Sequence, residues 1–221
     1  MGSLARPHRS RYRVGPVPPL QIVLARHGRP DLPVEARHRI TGRDIGRWYR
    51  SYNESGIVEA EPPARLRDAA RGAGCVVASD LRRAIESAAC LTPVDTIRVE
   101  TSLREVGFPE ALDSSLRLSP NLWVFIARAA QMLDRDDDEG GRAAIRARAT
   151  GVADMLARLA GDHRSVVAIG HGWFNRFVAR ELRRQGWHGP RFVPSGYWSS
   201  VTFERDAGSL RASSCRGRTD T

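Results

Sequence analysis

Two histidines and two arginines follow short apolar runs that are typical of buried strands. Arg26 and His27 follow one run, Arg83 lies in the first turn of a helix that follows a second, and His171 follows a third. Guanidinium groups bind phosphate oxygens in a bidentate manner that no other side chain reproduces. An imidazole among them is able to attack phosphorus through a ring nitrogen and so divide one displacement into two easier steps. These residue types therefore predict a phosphoryl-transfer site.

Such a reaction also needs a carboxylic acid to protonate the leaving oxygen. Glu105, which follows a predicted strand, is the candidate acid, and arginines would spread the charge of the transition state without a metal ion. Taken singly, His171 is also typical of a core histidine, and Arg83 and Glu105 of a solvated surface. Their common placement after strands carries the prediction.

The elements that must position these residues alternate between strands and helices. Alternation of this kind predicts a layered α/β fold with a largely parallel sheet. In open sheets of this class the ligand binds beyond the carboxyl ends of the strands, where all the candidate residues fall. Strands are predicted at 21–25, 75–78, 96–100 and 165–170, helices at 44–55, 62–71, 81–91, 116–133, 142–160 and 173–184, and a final antiparallel pair at 197–204 and 210–215. Ser79 or Asp80 is expected to cap the third helix.

Four segments in this order resemble the histidine phosphatase superfamily, also called phosphoglycerate-mutase-like. The resemblance implies a phosphoric monoester hydrolase with an α/β/α sandwich, no cofactor, no metal and a small-molecule phosphoester as substrate. The segments are Ala25-Arg26-His27-Gly28, Ser79-Asp80-Leu81-Arg82-Arg83-Ala84, Leu103-Arg104-Glu105 and Val166-Val167-Ala168-Ile169-Gly170-His171-Gly172.

The resemblance also implies a role for each matching residue. His27 would be the phosphorylated nucleophile, and Glu105 would act first as general acid and then as base for the hydrolytic water. The residues implied to bind the phosphoryl group and substrate are Arg26, Gly28, Arg83, His171 and Gly172.

The sequence departs from the family pattern around its opening motif. Arg29-Pro30-Asp31 stands where Glu or Gln and then Ser or Thr are usual, and 41–46 replaces a Trp-x-Asp-x-x-Leu-Thr block. These departures favour a phosphatase over a phosphoglycerate-mutase-type transfer, and a non-catalytic anion- or RNA-binding protein is a further alternative. Asp31 is an alternative acid. The pocket walls are expected from 30–55, with Arg37, His38, Arg39 and Arg43, and from 105–126, with Phe108 and Trp123.

The charge of the chain is carried entirely by arginine. All 35 basic residues are Arg, against 25 acidic ones, which gives a net charge of +10 and excludes Schiff-base and P-loop lysine chemistry. Much of the surplus lies near the two ends, so we expect solvated surface and no nucleic-acid partner. The predicted organisation is a basic, flexible tail at 1–19, a catalytic domain at 20–215 and a flexible C-terminus at 216–221.

Cysteine usage and hydropathy bear on the compartment. Cys75 and Cys90 are expected to be buried thiols in a reducing compartment, which favours a cytoplasmic location. The sequence contains no stretch of 18 apolar residues, so no membrane span is predicted. The acidic run at 136–139 is expected to be a solvated turn rather than a metal site. The sequence leaves the oligomeric state open.

Overall fold

A computed structural model describes residues 18–33, 38–108, 112–133 and 141–207. Its centre is a five-stranded sheet in the order β3-β2-β4-β1-β5, parallel throughout except for β5, which is antiparallel to β1. The strands are β1 (Leu20–Arg26), β2 (Cys75–Ala78), β3 (Ile97–Val99), β4 (Ser165–Gly170) and β5 (Ser200–Arg205). The helices are α1 (Ile45–Glu54), α2 (Ala64–Arg71), α3 (Arg82–Ala89), α4 (Pro120–Leu133), α5 (Arg142–His163) and α6 (Phe174–Arg184). The predicted α/β class with a mostly parallel sheet is confirmed.

Both faces of the sheet are buried, which explains why its strands are continuous apolar runs. Alternate residues of β1 enter two separate cores: Ile22 and Leu24 pack with α5 and α6, whereas Val23 and Ala25 pack with α2 and α3. Helices therefore cover the sheet on both sides, as the predicted three-layer sandwich requires.

Strand register brings the candidate residues to one edge of the sheet. Arg26, the last residue of β1, is paired with Gly170, the last residue of β4. Ala78, the last residue of β2, is paired with Ile169. Because parallel strands end at the same edge, the segments after all three strands meet there.

A third apolar cluster lies outside the sandwich and joins α1 to α4. Its buried members are Ile45, Trp48 and Tyr52 of α1 and Trp123 of α4. The helical spacing of the α1 residues gives that helix one apolar face. This cluster fixes the position of α1 and α4 beside the carboxyl edge of the sheet.

Three local predictions are wrong. The N-cap of α3 is Leu81 rather than Ser79 or Asp80, because the Ser79 hydroxyl pairs with His171 and the Asp80 carboxylate with Arg104. Cys90 is exposed, since it caps the C-terminus of α3 beyond the buried face of that helix, and Cys75 is only half-buried.

The predicted pairing of 197–204 with 210–215 stays a prediction. The described partner of β5 is β1, while 210–215 lies outside the described residues. Other predicted features also lie outside the described residues. They are positions 1–17 of the predicted tail at 1–19, the tail at 216–221, Arg37 and the acidic run at 136–139.

Within the described part of the chain, no helix combines the length and apolar character that crossing a membrane requires. The same residues contain no group of three or more His, Cys, Asp or Glu side chains arranged to hold a metal ion.

Candidate active site

His27 lies at the end of β1 and is almost completely buried, with 1% of its surface exposed. Its Nδ1 lies 2.7 Å from the carbonyl oxygen of Gly28, which only accepts hydrogen bonds. That partner assigns the ring proton to Nδ1. The Nε2 lone pair is then free to accept, and it receives a hydrogen bond from Arg83 Nε at 3.3 Å. A neutral imidazole with a lone pair on Nε2 is the form that acts as a nucleophile.

Arg83 is a fully buried guanidinium in the first turn of α3. One Nη donates to the carbonyl oxygens of Tyr52 and Asn53, and the other to Asn53 Oδ1 and to His171 Nδ1 at 3.4 Å. No salt bridge among the described residues neutralises it. A buried cation without a carboxylate partner is costly, so this site favours an anion.

His171 stands at the end of β4, with its ring centroid 5.1 Å from that of His27. Its Nε2 donates to Ser79 Oγ at 3.0 Å, which leaves Nδ1 to accept from Arg83. Ser79 follows β2, so three strand ends contribute to this one hydrogen-bonded chain. The sheet thereby holds His27, Arg83 and His171 together, as the sequence predicts.

Arg26 reaches the same site from the last position of β1. Its Nη1 donates to the carbonyl oxygen of Ser195 and its Nη2 to the Tyr52 hydroxyl at 3.3 Å, while its guanidinium lies 4.2 Å from the centroid of the Tyr197 ring. Its buried Nε has no hydrogen-bond partner among the residues that the structure describes. A donor of this kind, held in place by aromatic and backbone contacts, is suited to an anionic oxygen.

The two histidines are kept neutral by their surroundings. Burial, followed by the positive charges of Arg26 and Arg83, holds the pKa of His27 well below its ordinary value of 6.5, against a smaller opposing effect of the Gly28 carbonyl. Burial and the neighbouring His27 and Arg83 lower the pKa of His171 in the same way. Both rings are therefore uncharged at neutral pH.

Glu105 lies on the far side of the site and faces the N-terminus of α6. Its carboxylate accepts hydrogen bonds from the backbone N–H groups of Val106, Trp173 and Phe174, at 2.9 to 3.2 Å. It lines the same cavity as Arg26. Asp31, the alternative acid, is exposed and does not line that cavity. The arrangement favours Glu105 over Asp31 as the acid.

Two glycines allow the close packing of this site. A Cβ on Gly28 would lie 2.6 Å from the ring of Trp198, and one on Gly172 would lie 3.2 Å from Arg26 Cδ. The Gly28 N–H also donates to Ser87 Oγ at 2.8 Å, which links the first motif to α3. Both residues were predicted from the motif; the lack of a side chain lets Gly28 pack against Trp198 and Gly172 against Arg26.

The cavity is lined by residues of both predicted wall segments, 30–55 and 105–126, but not by the described side chains that were named as wall residues. His38, Arg39 and Arg43 are exposed and do not line the cavity. Trp123 is buried behind the wall, where its Nε1 donates to the Ile40 carbonyl, and Phe108 stacks on Tyr49 one layer back. Aromatic residues of α1 and neighbours of Trp123 on α4 form the walls instead.

The sequence was also compared with known families. Residues 22–215 match the family model of the histidine phosphatase superfamily (branch 1). The chain belongs to the histidine phosphatase superfamily. Among curated proteins no significant relative of the sequence was found.

Three solved structures illustrate the sequence identities and TM-scores found among structures similar to this chain. A phosphoserine phosphatase from Entamoeba histolytica, determined with 3-phosphoglyceric acid, has 12% identity and a TM-score of 0.52, covering 82% of this chain and 89% of its own. A mycobacterial protein described as hydrolase 1 has 22% identity and a TM-score of 0.52, over 86% and 92%. A mycobacterial glucosyl-3-phosphoglycerate phosphatase has 23% identity and a TM-score of 0.47, over 75% and 80%. The first two show a shared fold.

Motif reasoning missed several contributors to this histidine phosphatase site. The Tyr52 hydroxyl lies 3.4 Å from His27 Nε2 and contacts Arg26, and burial raises the pKa of this phenol, which keeps it a donor. Ser87 Oγ donates to the Arg83 carbonyl and accepts from Gly28. The spacing of Tyr52 from the other apolar residues of α1 predicts that it is buried, but does not predict that its hydroxyl faces the site.

The lowered pKa values of the two histidines predict acid instability for this member of the histidine phosphatase superfamily. Below about pH 6.5 the unfolded chain takes up protons on His27 and His171 that the folded chain does not, so the free energy of unfolding falls as the pH drops. Each histidine contributes up to about 1.4 kcal/mol per pH unit until its folded pKa is reached. Urea unfolding between about pH 7.5 and pH 5.5 measures this slope.

Two variants separate the buried rings from other groups that titrate in this range. His171→Gln should flatten the slope, whereas the same change at the exposed His163 should leave the slope as in the unaltered protein. Equal slopes in the unaltered protein and in His171→Gln would contradict the assignment of neutral buried imidazoles.

Proposed function

We propose that this chain is a metal-independent phosphatase that hydrolyses small phosphomonoesters through a phosphohistidine on His27. The observation that carries the proposal is the convergence of two neutral buried imidazoles on a buried guanidinium that has no carboxylate partner among the described residues. The cationic cluster supplies the charge that a phosphate dianion needs. Family membership and the phosphatases that share the fold agree with it.

In the first step, His27 Nε2 attacks the phosphorus atom and the bond to the ester oxygen breaks. The Gly28 carbonyl keeps the proton on Nδ1 and orients the ring for this attack. Arg26, Arg83 and His171 bind the phosphoryl oxygens and stabilise their charge in the transition state. Glu105, in its carboxylic acid form, gives its proton to the leaving oxygen.

In the second step, water attacks the phosphorus of phosphohistidine and the P–N bond breaks. The Glu105 carboxylate takes a proton from that water and returns to its acid form. Inorganic phosphate leaves, and the lone pair on His27 Nε2 is restored. Backbone N–H groups of Val106, Trp173 and Phe174 hold the carboxylate in position for both steps.

Turnover of p-nitrophenyl phosphate in the presence of EDTA tests the proposal. We expect release of inorganic phosphate at an unchanged rate when EDTA is added, because arginines supply the charge that a metal would supply in another mechanism. Loss of activity with EDTA would contradict the metal-independent reaction. Transfer of phosphate to an added alcohol without net hydrolysis would favour the mutase. Salt-sensitive RNA binding without turnover would favour the non-catalytic alternative.

A further inference from the structure

The cavity beyond the phosphoryl site is walled by aromatic rings. It has a volume of about 300 Å³, begins at Arg26 and Gly172, and continues between α1 and α4. This volume is at the small end of the range for small-molecule sites, so the cavity suits a compact ligand. Its aromatic residues are Trp48, Tyr49, Tyr52, Phe125, Trp173 and Tyr197.

Several polar side chains in this wall are already engaged with the protein. Arg128 donates to the Gly107 and Val106 carbonyls at 2.8 and 2.9 Å, and both Glu105 oxygens accept from backbone amides. Ser195 Oγ accepts from Arg176 at 3.2 Å. A sugar ring buried here would have to leave several hydroxyls without partners, which is costly.

An exposed aromatic ring also lines the cavity. Phe125 lines the cavity and yet has 69% of its surface exposed, on the side of α4 that faces the opening. A planar apolar group that enters the cavity would cover this ring and gain aromatic contacts with the wall.

We propose that the preferred substrate is a phosphomonoester whose alcohol carries an uncharged aromatic ring close to the ester oxygen. This inference rests on the proposed phosphatase function and names its substrate class. The phosphate occupies the cluster of His27, Arg26 and Arg83, and the ring lies among the aromatic residues of α1, α4 and Tyr197. The hydroxyl groups of a sugar phosphate would gain less from these aromatic faces than an uncharged aromatic ring would.

Substrates with similar leaving groups test this preference. 2-Phenylethyl phosphate, glycerol 3-phosphate and glucose 6-phosphate are all esters of primary alcohols, so their chemical reactivities are comparable. We expect kcat/KM for the phenylethyl ester to exceed the other two by about tenfold or more, the effect of one well-filled apolar subsite. Equal values, or a preference for either sugar-type substrate or for 3-phosphoglycerate, would overturn the proposal.

Two exposed phenylalanines provide a matched pair of variants. Phe125→Ser should lower the ratio of kcat/KM for the phenylethyl ester to that for glycerol 3-phosphate by about fivefold, the size of one aromatic contact. Phe192→Ser should leave this ratio unchanged, because Phe192 is 72% exposed and does not line the cavity. An unchanged ratio in Phe125→Ser would show that the ring does not bind the alcohol.

Binding of phosphonates separates this inference from the proposed chemistry. If no ester is hydrolysed, the phosphatase function is wrong, but calorimetry still compares 2-phenylethylphosphonate with 2-hydroxyethylphosphonate. Tighter binding of the phenyl compound, lost in Phe125→Ser, supports the aromatic subsite whether or not turnover occurs. Equal binding of the two phosphonates overturns it.

Discussion

Replacing His27 with alanine should lower kcat for p-nitrophenyl phosphate by about 10³-fold or more, the usual scale for loss of a nucleophile. His27 Nε2 carries a lone pair that accepts a hydrogen bond from Arg83 Nε and lies 3.4 Å from the Tyr52 hydroxyl. Without the imidazole, water must attack the phosphate ester directly, and the reaction loses its covalent step. Steady-state kinetics measure the loss.

Trapping the intermediate identifies the nucleophile directly. Rapid quenching in base, followed by mass spectrometry, should find phosphate on the peptide that contains His27, since the P–N bond of phosphohistidine survives base and not acid. His188→Ala is the control, because that exposed histidine is joined to Glu204 through backbone hydrogen bonds that the variant keeps. Phosphate on another residue, or full activity in His27→Ala, would exclude His27 as the nucleophile.

Backbone N–H groups position Glu105, the residue that protonates the leaving oxygen in the proposed mechanism. Its carboxylate is bound by N–H groups at the start of α6, whose dipole also favours a negative charge at that end. The positive charge of Arg148, which stacks at 3.9 Å over Phe174, adds to this field. These contacts fix the position of the carboxylate, which the proposed mechanism uses in both steps.

The residues that follow strands could be predicted because parallel strands bring their carboxyl ends together. β1 ends at Arg26 and is followed by His27, and β4 is followed by His171. Arg83 lies in the first turn of α3, the helix after β2. The apolar runs predict the strands, and the carboxyl ends of parallel strands share one edge of a sheet; the strand order and register that make the residues neighbours come from the structure.

The pocket walls could not be predicted by the same reasoning. Tyr52 has the spacing of a core residue of α1, and the period of a helix does not reveal which buried ring has its hydroxyl at a neighbouring site. Arg39 and Arg43 lie near the first motif in sequence, but Arg43 pairs with Asp113 at the surface. The position of α4 against α1 depends on tertiary packing around Trp123, which no local pattern specifies.

Arg83→Lys should lower kcat/KM by about 10²-fold although the charge is kept, the scale of one lost charge-stabilising donor. Arg83 donates in three directions at once, to His27, to the backbone of α1 and to His171. An ammonium group is a point charge on a flexible stem and cannot hold this planar pattern or bind two phosphate oxygens in parallel. Kinetics with p-nitrophenyl phosphate and competition by inorganic phosphate measure the effect.

Arg82→Lys is the matched control, since Arg82 is the neighbouring residue, is exposed and pairs only with Glu86 within the described chain. That variant should keep its kcat/KM within about twofold, as expected for an exposed ion pair. A structural role alone for Arg83 would lower the free energy of unfolding and leave phosphate inhibition of the folded fraction unchanged. A phosphate-binding role requires that the inhibition constant rise together with the loss in kcat/KM. Near-normal kinetics in Arg83→Lys would remove this guanidinium from the reaction, and the buried charge would then need a different anionic partner.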